Sequence, residues 1–451
     1  MKNIILFIFC SFLFLQSIAQ KSLLKSGPWA GNVELRTAEI WFETVSPVAS
    51  AEIHLTELKP SASKKVFAIK PQTLKDFYTY KVELTGLEIN TEYKYDLFIN
   101  GKKEPVNTNT LFKTKDLWQF RKPAPDFTFL AGSCSYFNQP EYDRPGEPYG
   151  KDSSIFETMA KFPANFNIWL GDNWYTREVD YLSKWGLNYR ASVDRSKKVL
   201  QNLMANMPQY AIWDDHDFGP NDASKSYILK DESRKIFMNY WLNPSYGEDG
   251  KGIYTKVSFS DVDFFLTDNR YFRTDQDYAD SLNGKLNDEK TYFGQQQMEW
   301  LKNSLLNSRA TFKVIISGSQ VLNYNTTYDC MVYYKKEFNE LMDFLLTQKI
   351  NGVIFLSGDR HHSEIIKKER PESYPLYDIT VSPLTSRAGK AKGGEVENPL
   401  RVPGSLIEEQ NFGNFSVSGE PKNRVFKVDF YDKKGKNLFS WSIKENDLKE
   451  K

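Results

Sequence analysis

Cysteine and histidine are scarce in this chain, and each shortage excludes something. There are three cysteines in 451 residues. Cys10 lies in an apolar leader, which leaves Cys134 and Cys330, too few for a disulfide-stapled scaffold. A single bridge between those two is the alternative, but Cys134 falls in a polar strand-end cluster, where a metal or substrate is the better partner. The four histidines are His54, His216, His361 and His362. Three of them sit in short polar motifs, so imidazole chemistry is concentrated there. Net charge is lacking too: Lys+Arg 59 against Asp+Glu 58 removes the electrostatic case for nucleic acid or an anionic membrane surface. No internal repeat, low-complexity tract or charge block interrupts the chain.

The one strongly apolar run stands at the beginning. Met1-Lys2-Asn3 is a short basic segment, IILFIFCSFLFL is apolar, and Ser17-Ile18-Ala19 fits a small-x-small cleavage site. This pattern predicts a cleavable signal peptide over residues 1–19 and a periplasmic or secreted protein with no membrane span. Cys10 follows Phe9, where a lipid-attachment site wants a small residue, and no twin-arginine pair is present.

Residues 22–122 read as short alternating strands, among them AEIWFET, SAEIHLTEL and YTYKVELTGL, separated by turns. Asn100-Gly101 is a strong hairpin turn. The string from Leu84 to Tyr95, LTGLEINTEYKY, resembles the fibronectin type III pattern, in which a leucine turns a corner and a tyrosine opens the next strand. That resemblance implies an all-β module, read here as a spacer or lid. LWQFRKPAPDF then links it to residues 123–451. There the apolar runs FTFLAG, FNIWLGD, YAIWDD, VDFFLTD, KVIISG, GVIFLSGD and LYDITVS alternate with helix-period segments at 153–162, 294–307 and 335–347. Near-continuous apolar strands belong to sheets covered on both faces, so the class is α/β.

Almost every strand candidate ends in polar residues, and ligands of open α/β sheets bind outside the carboxyl ends of the strands. The four outstanding clusters are Gly132-Ser133-Cys134-Ser135, Gly171-Asp172-Asn173-Trp174-Tyr175, Asp214-Asp215-His216-Asp217 and Gly358-Asp359-Arg360-His361-His362. Three carboxylates and an imidazole in four successive residues cost several kcal/mol behind an apolar strand unless compensated, and a cation compensates them most cheaply. Thiolate, phenolate and imidazole suit a Lewis-acidic transition metal, so Cys134, Asp172, Tyr175 and His361 form an iron-type donor set. Asp215 and Asp359, sharing Asp172, form an oxygen-only set for a hard cation such as Ca²⁺. His216 is either a further ligand or a group that stabilises the transition state. Asp214 and Asp217 read as supports. Asn173, Arg177, Arg270 and Arg360 follow the motifs closely enough to meet phosphate oxygens, with Arg360 placed as a catalytic cation. Asp268 and Arg270 can equally pair with each other.

Taken in order, GSCS, GDNWY, WDDHDF, DNRYFR and LSGDRHHS followed by ITVSPLTS resemble the PhoD-like alkaline phosphatase family of calcineurin-like metallophosphoesterases, related to purple acid phosphatases. The resemblance implies a two-sheet sandwich flanked by helices and a phosphomonoesterase or phosphodiesterase. It also implies Fe³⁺ and Ca²⁺ at one centre, with Mg²⁺, Zn²⁺ or Mn²⁺ as alternatives. It assigns iron to Asp172 and Tyr175, with Cys134 and His361 completing the set. Asp215-His216 and Asp359 stand where imidazole-rich relatives carry amide and imidazole, in keeping with the oxygen-only reading. The expected reaction is attack of a metal-bound hydroxide on a small phosphate ester by a monomeric enzyme. A diesterase of phospholipase D or nucleotide type and a binding protein that keeps the fold without chemistry are the alternatives.

Overall fold

The computed structural model describes residues 22–59, 63–69 and 76–450, so the expected signal peptide lies outside the described residues. Among the described residues no helix is long and apolar enough to cross a membrane. The first part is all β. Strands Leu24–Gly31, Ala38–Thr44 and Tyr78–Leu84 form one antiparallel sheet. A second sheet runs Lys64–Ile69, Ala51–Glu57, Glu92–Ile99 and Lys102–Lys103, with Leu111–Lys113 on the free side of Glu92–Ile99. The alternation in EYKYDLFI buries Tyr93, Tyr95, Leu97 and Ile99 on one face, where they share a core with Ile40, Phe42 and Leu84 of the other sheet. Asn100 and Gly101 adopt φ of +50° and +74°, the left-handed pair that a two-residue hairpin requires. The Tyr93 hydroxyl accepts a 2.8 Å hydrogen bond from the Glu88 backbone N–H, which is the corner that the LTGLEINTEYKY string predicts.

Two six-stranded sheets form the centre of the rest, which also holds the small hairpin of Ser281–Leu282 and Lys285–Leu286. One runs Gln209–Ile212, Phe166–Leu170, Phe127–Gly132, Asn411–Ser418, Val425–Asp432, Asn437–Lys444, the first three parallel and the others antiparallel. The other runs Thr255–Phe259, Val262–Leu266, Phe312–Ser317, Val353–Ser357, Leu376–Thr380, Glu364–Lys368, with its four central strands parallel. They pack face to face through aromatic rings. Phe129 stacks on Phe166 and Phe415 at 5.3 and 4.6 Å and meets Phe264 of the opposite sheet edge-on at 5.1 Å. Such pairs add about 0.5–1.5 kcal/mol each beyond the area they bury.

Helices Gly294–Asn307 and Lys335–Thr347 occupy the expected segments, and Met298, Leu301 and Leu305 face inward as their spacing predicts. The segment at 153–162 is helical only over Ile155–Met159. Helices Lys184–Arg195, Lys198–Asn206 and Lys230–Tyr240 were not among the expected elements. The N-terminal part meets helix Lys230–Tyr240 and the residue after it through both kinds of contact: Trp29 and Trp41 share a core with Tyr240 and Trp241, while Trp41 Nε1 donates to Asn239 O at 2.6 Å and Lys81 Nζ to Trp241 O at 2.6 Å. Replacing Tyr93 by Phe leaves the corner N–H without its partner. The expected loss is about 1 kcal/mol of unfolding free energy, read as a lower denaturant midpoint with activity intact. An unchanged midpoint would remove the corner from the account.

Candidate metal centre

The parallel strands of both sheets release their polar residues at the same edge. Each turns sharply there. Cys134, Asp172, Asp359 and His361 have φ of +62°, +52°, +69° and +54°, a region that costs an L-residue roughly 1–2 kcal/mol and that collects at functional sites. The glycines of the motifs make the crowding possible. A Cβ on Gly171 would stand 2.7 Å from Asp214 Cβ, and one on Gly358 2.7 Å from both Leu170 O and Ser133 Cβ.

Two donor groups result. Cys134, Asp172 and His361 bring ligand atoms within 4.8 Å of one another, and so do Asp172, Asp215 and His216. Asp172 belongs to both. Tyr175 joins the first group: its hydroxyl donates to Asp172 Oδ2 at 2.8 Å and lies 3.2 Å from His361 Nε2. Cys134 Sγ is 3.6 Å from Asp172 Oδ2. Burial, followed by the charges of Asp215, Asp214, Asp217 and Asp359, pushes the Asp172 carboxyl far above its ordinary range. Burial and then Asp172 and Asp359 raise the Cys134 thiol, while burial followed by His216 and Arg360 pushes His361 down to about 3. Carboxylates that resist ionisation beside neutral imidazoles are groups awaiting positive charge. Buried Asp215 Oδ1, Asp214 Oδ2 and His216 Nδ1 have no hydrogen-bond partner. These orphaned atoms and the mixed thiol, phenol, imidazole and carboxyl donors fit bound cations.

The second group differs from the oxygen-only set expected. It contains the His216 imidazole, whereas the Asp359 carboxylate belongs to neither group. Asp359 instead presents its backbone carbonyl 3.6 Å from Cys134 Sγ. Burial, reinforced by Asp214, raises its carboxyl well above the usual range. His216 lies against Tyr175 with ring centroids 4.1 Å apart and the planes tilted by 32°, and its Nε2 lies 3.9 Å from Asp215 Oδ2.

The cations and amides expected at phosphate are engaged elsewhere. Arg177 donates to Asp143 and to the carbonyls of Tyr175 and Phe137, with its guanidinium 4.1 Å over the Tyr136 ring. Asn173 is fully buried, and its Nδ2 donates to Ile212 O at 2.8 Å. Arg270 pairs with Asp214 and Asp329 and lies 3.8 Å from Asp215 Oδ1; Asp268 accepts from the Arg270 backbone N–H at 3.0 Å and not from its guanidinium, and also from Trp213 Nε1 and the Ile253 and Tyr271 N–H groups. Arg360 pairs with Glu395 and lies 4.0 Å over the Tyr328 ring. Each guanidinium found a carboxylate or ring among loops that are distant in sequence, which spacing does not reveal. Asp217 is a support, as expected, accepting from the backbone N–H groups of Asn173 and Asp214 at 2.9 and 3.0 Å.

Several neighbours were not anticipated. Ser382 Oγ donates to Cys134 Sγ at 3.3 Å, and Ser386 Oγ to the Tyr175 hydroxyl at 3.2 Å. Both sit in the strand-end stretch ITVSPLTS, where the signal was present but unassigned. Asn269 Nδ2 donates to Asp214 Oδ1 at 2.7 Å from within DNRYFR. Tyr149, whose hydroxyl is 3.2 Å from His361 Nδ1, comes from a loop with no motif around it. Cys134 and Cys330 are both free and buried.

A family model described as PhoD-like phosphatase matches residues 129–423, a span that contains every candidate ligand. The chain belongs to the PhoD-like phosphatase family. It is 24% identical to alkaline phosphatase D of Bacillus subtilis (strain 168) over 330 residues, covering 63% of this chain and 54% of that protein. The chain therefore spans about half the length of this curated relative. Its fold is similar to the solved structure of PhoD, with TM-score 0.75 at 19% identity over 96% of this chain and 92% of that one. It is also similar to a purple acid phosphatase from yellow lupin (Lupinus luteus) seeds, with TM-score 0.66 at 12% identity over 93% of this chain and 75% of that one. These likenesses show the α/β fold with its mixed sheets.

Removing Arg270 takes the cation away from buried Asp214 and from the side of Asp215, while Asp329 keeps its pair with Arg273. Arg270→Met is expected to lower unfolding free energy by about 3–5 kcal/mol, measured by denaturant titration. A fully stable variant with only a raised KM would return Arg270 to the substrate.

Proposed function

We propose that this chain is an exported, metal-dependent phosphoric ester hydrolase whose centre holds two cations across Asp172. The carrying observation is the membership of Asp172 in both donor groups. Cys134, Tyr175 and His361 would hold one cation with it, and Asp215 and His216 the other. The thiol and phenol donors favour iron at the first position, and at the second the His216 imidazole beside Asp172 and Asp215 favours a divalent ion such as zinc over the oxygen-liganded calcium. Bound there, such ions supply Lewis-acid charge for a phosphoryl oxygen and activate water.

The chain's own residues do the rest. Burial keeps His216 below its ordinary imidazole range, with Asp215 opposing the shift, so the ring is neutral near pH 7. Its contact with Tyr175 restrains the ring, and with one ring nitrogen toward a cation the other would carry the proton and be suited to donate to an ester oxygen as negative charge develops. Asp222 N–H holds Asp215 Oδ2 at 2.8 Å, which orients that carboxylate. Ser386 and Tyr175 hold Asp172 in turn. Family membership supports a phosphate ester as substrate, and the apolar leader supports export.

Removing a ligand shared by two ions should cost more than the ~10–100-fold typical of a supporting residue. Asp172→Asn is therefore expected to lose both bound metal and more than about 100-fold of kcat/KM, with folding unchanged by circular dichroism. Elemental analysis beside assays on an aryl phosphate and a bis-aryl phosphodiester reads the result and ranks the two ester classes. Full activity and metal content in the variant would overturn the reading. A chelator should abolish turnover of the natural protein.

A further inference from the structure

The loop that carries Asp172 is held from behind by a buried cation. Arg195, the last residue of helix Lys184–Arg195, is fully buried. The neighbouring ion pairs run from Arg190 to Asp180 and Asp194 and leave Arg195 out. Its guanidinium lies instead among three indole rings, 4.7, 5.7 and 4.8 Å from the centroids of Trp169, Trp174 and Trp241. Each ring face attracts a desolvated cation, but taking the charge out of water is costly and no carboxylate among the described residues forms an ion pair with it. The arrangement is therefore expensive unless the cation performs a task that an apolar side chain cannot.

The task is visible at Asn173. Arg195 Nη2 donates to the Asn173 carbonyl at 2.6 Å. On the other side of the same residue, Asp217 Oδ1 accepts from the Asn173 N–H at 2.9 Å, and the Asn173 side chain is tied to Ile212 O at 2.8 Å. The residue after Asp172 is thus fixed at its N–H, its carbonyl and its amide, while Asp172 itself is held at φ +52°. Three fixings of one residue are what hold a strained neighbour in place.

The three-stranded N-terminal sheet braces the backbone that carries this cation. Ser26 Oγ, on the first strand, donates to Arg195 O at 2.9 Å, and the Gly27 N–H meets Gln201 Oε1 at 3.0 Å while Gln201 Nε2 donates to Arg195 O at 2.8 Å. Lys81, on another strand of the same sheet, donates to Trp241 O, the backbone of one wall of the cage.

We propose that Arg195 is a positioning residue for the metal centre: through the Asn173 carbonyl it sets the turn at Asp172 so that one carboxylate faces both donor groups. The three-stranded N-terminal sheet contributes by bracing the Arg195 backbone. This inference rests on the two-cation reading above, and its test separates the two.

Arg195→Met removes the donor and the charge. Arg195→Lys keeps a charge but loses the planar fork and its reach, which makes it a non-conservative change in a stacked site. Both variants and the natural protein are loaded with metal and challenged with a chelator series. Retained metal is counted by elemental analysis, and kcat, KM and the denaturant midpoint are measured on the same samples. Arg195→Met is expected to hold metal about 10–100-fold more weakly, with kcat reduced in parallel and KM within about twofold. Arg195→Lys should fall between it and the natural protein. A purely structural Arg195 would lower the midpoint and leave metal retention and kcat of the folded protein unchanged, which overturns the proposal. If Arg195→Met does not fold, Arg195→Lys decides alone, and natural metal retention with natural kcat in it counts against the proposal. Absence of metal from the natural protein would instead sink the two-cation reading.

Discussion

Everything at the crevice follows from crowding carboxylates where water is scarce. Asp172, Asp214, Asp215 and Asp217 stand together in a buried space, with Asp359 partly buried beside them. At an effective dielectric near 20, unit charges about 4 Å apart interact by roughly 4 kcal/mol, so repulsion among so many outweighs any single hydrogen bond. The structure meets this in two ways. Asp214 is neutralised by Arg270 and Asn269, and Asp217 is satisfied by backbone N–H groups at the start of the short helix Asp215–Phe218. Against its burial, Asp215 is held ionised by His216, Arg270 and the Asp222 N–H, whereas Asp172 has no such settlement. It faces a thiol, a phenol and two imidazoles, and that residual imbalance is what bound cations would relieve.

Holding that arrangement needs a rigid frame. The two sheets supply it by ending their parallel strands on a common edge, locked together by the Phe129–Phe264 contact and its neighbours. Strained left-handed turns at four candidate ligands are affordable only because the strands before them are buried throughout. The N-terminal sheets extend the frame across the back of the Asp172 loop, which gives them a physical connection to the centre as well as a packing role.

Much of this was legible in the residues. Period-2 alternation marked the first sheets, continuous apolar runs marked the parallel strands, and a polar cluster after each run marked the crevice. Helices Gly294–Asn307 and Lys335–Thr347 were read correctly because their apolar spacing is regular. Helix Lys184–Arg195 escaped because its buried positions include Asn188, Arg190, Ser192, Asp194 and Arg195, so no apolar stripe announces it. Strand Asn411–Ser418 carries polar and glycine residues within a central position of its sheet. The partners of the arginines were not legible for a related reason: proximity to a motif in sequence says nothing about which distant carboxylate a guanidinium will meet in space. Tyr149 and Asn269 reach the site from loops whose placement depends on the whole fold.

The central claim is that one carboxylate serves two cations. Anomalous diffraction from crystals of protein purified from its native compartment tests it most directly. Two peaks are predicted on either side of Asp172, one beside Cys134, Tyr175 and His361 and the other beside Asp215 and His216. A single peak, or peaks that leave Asp172 untouched, would contradict the account.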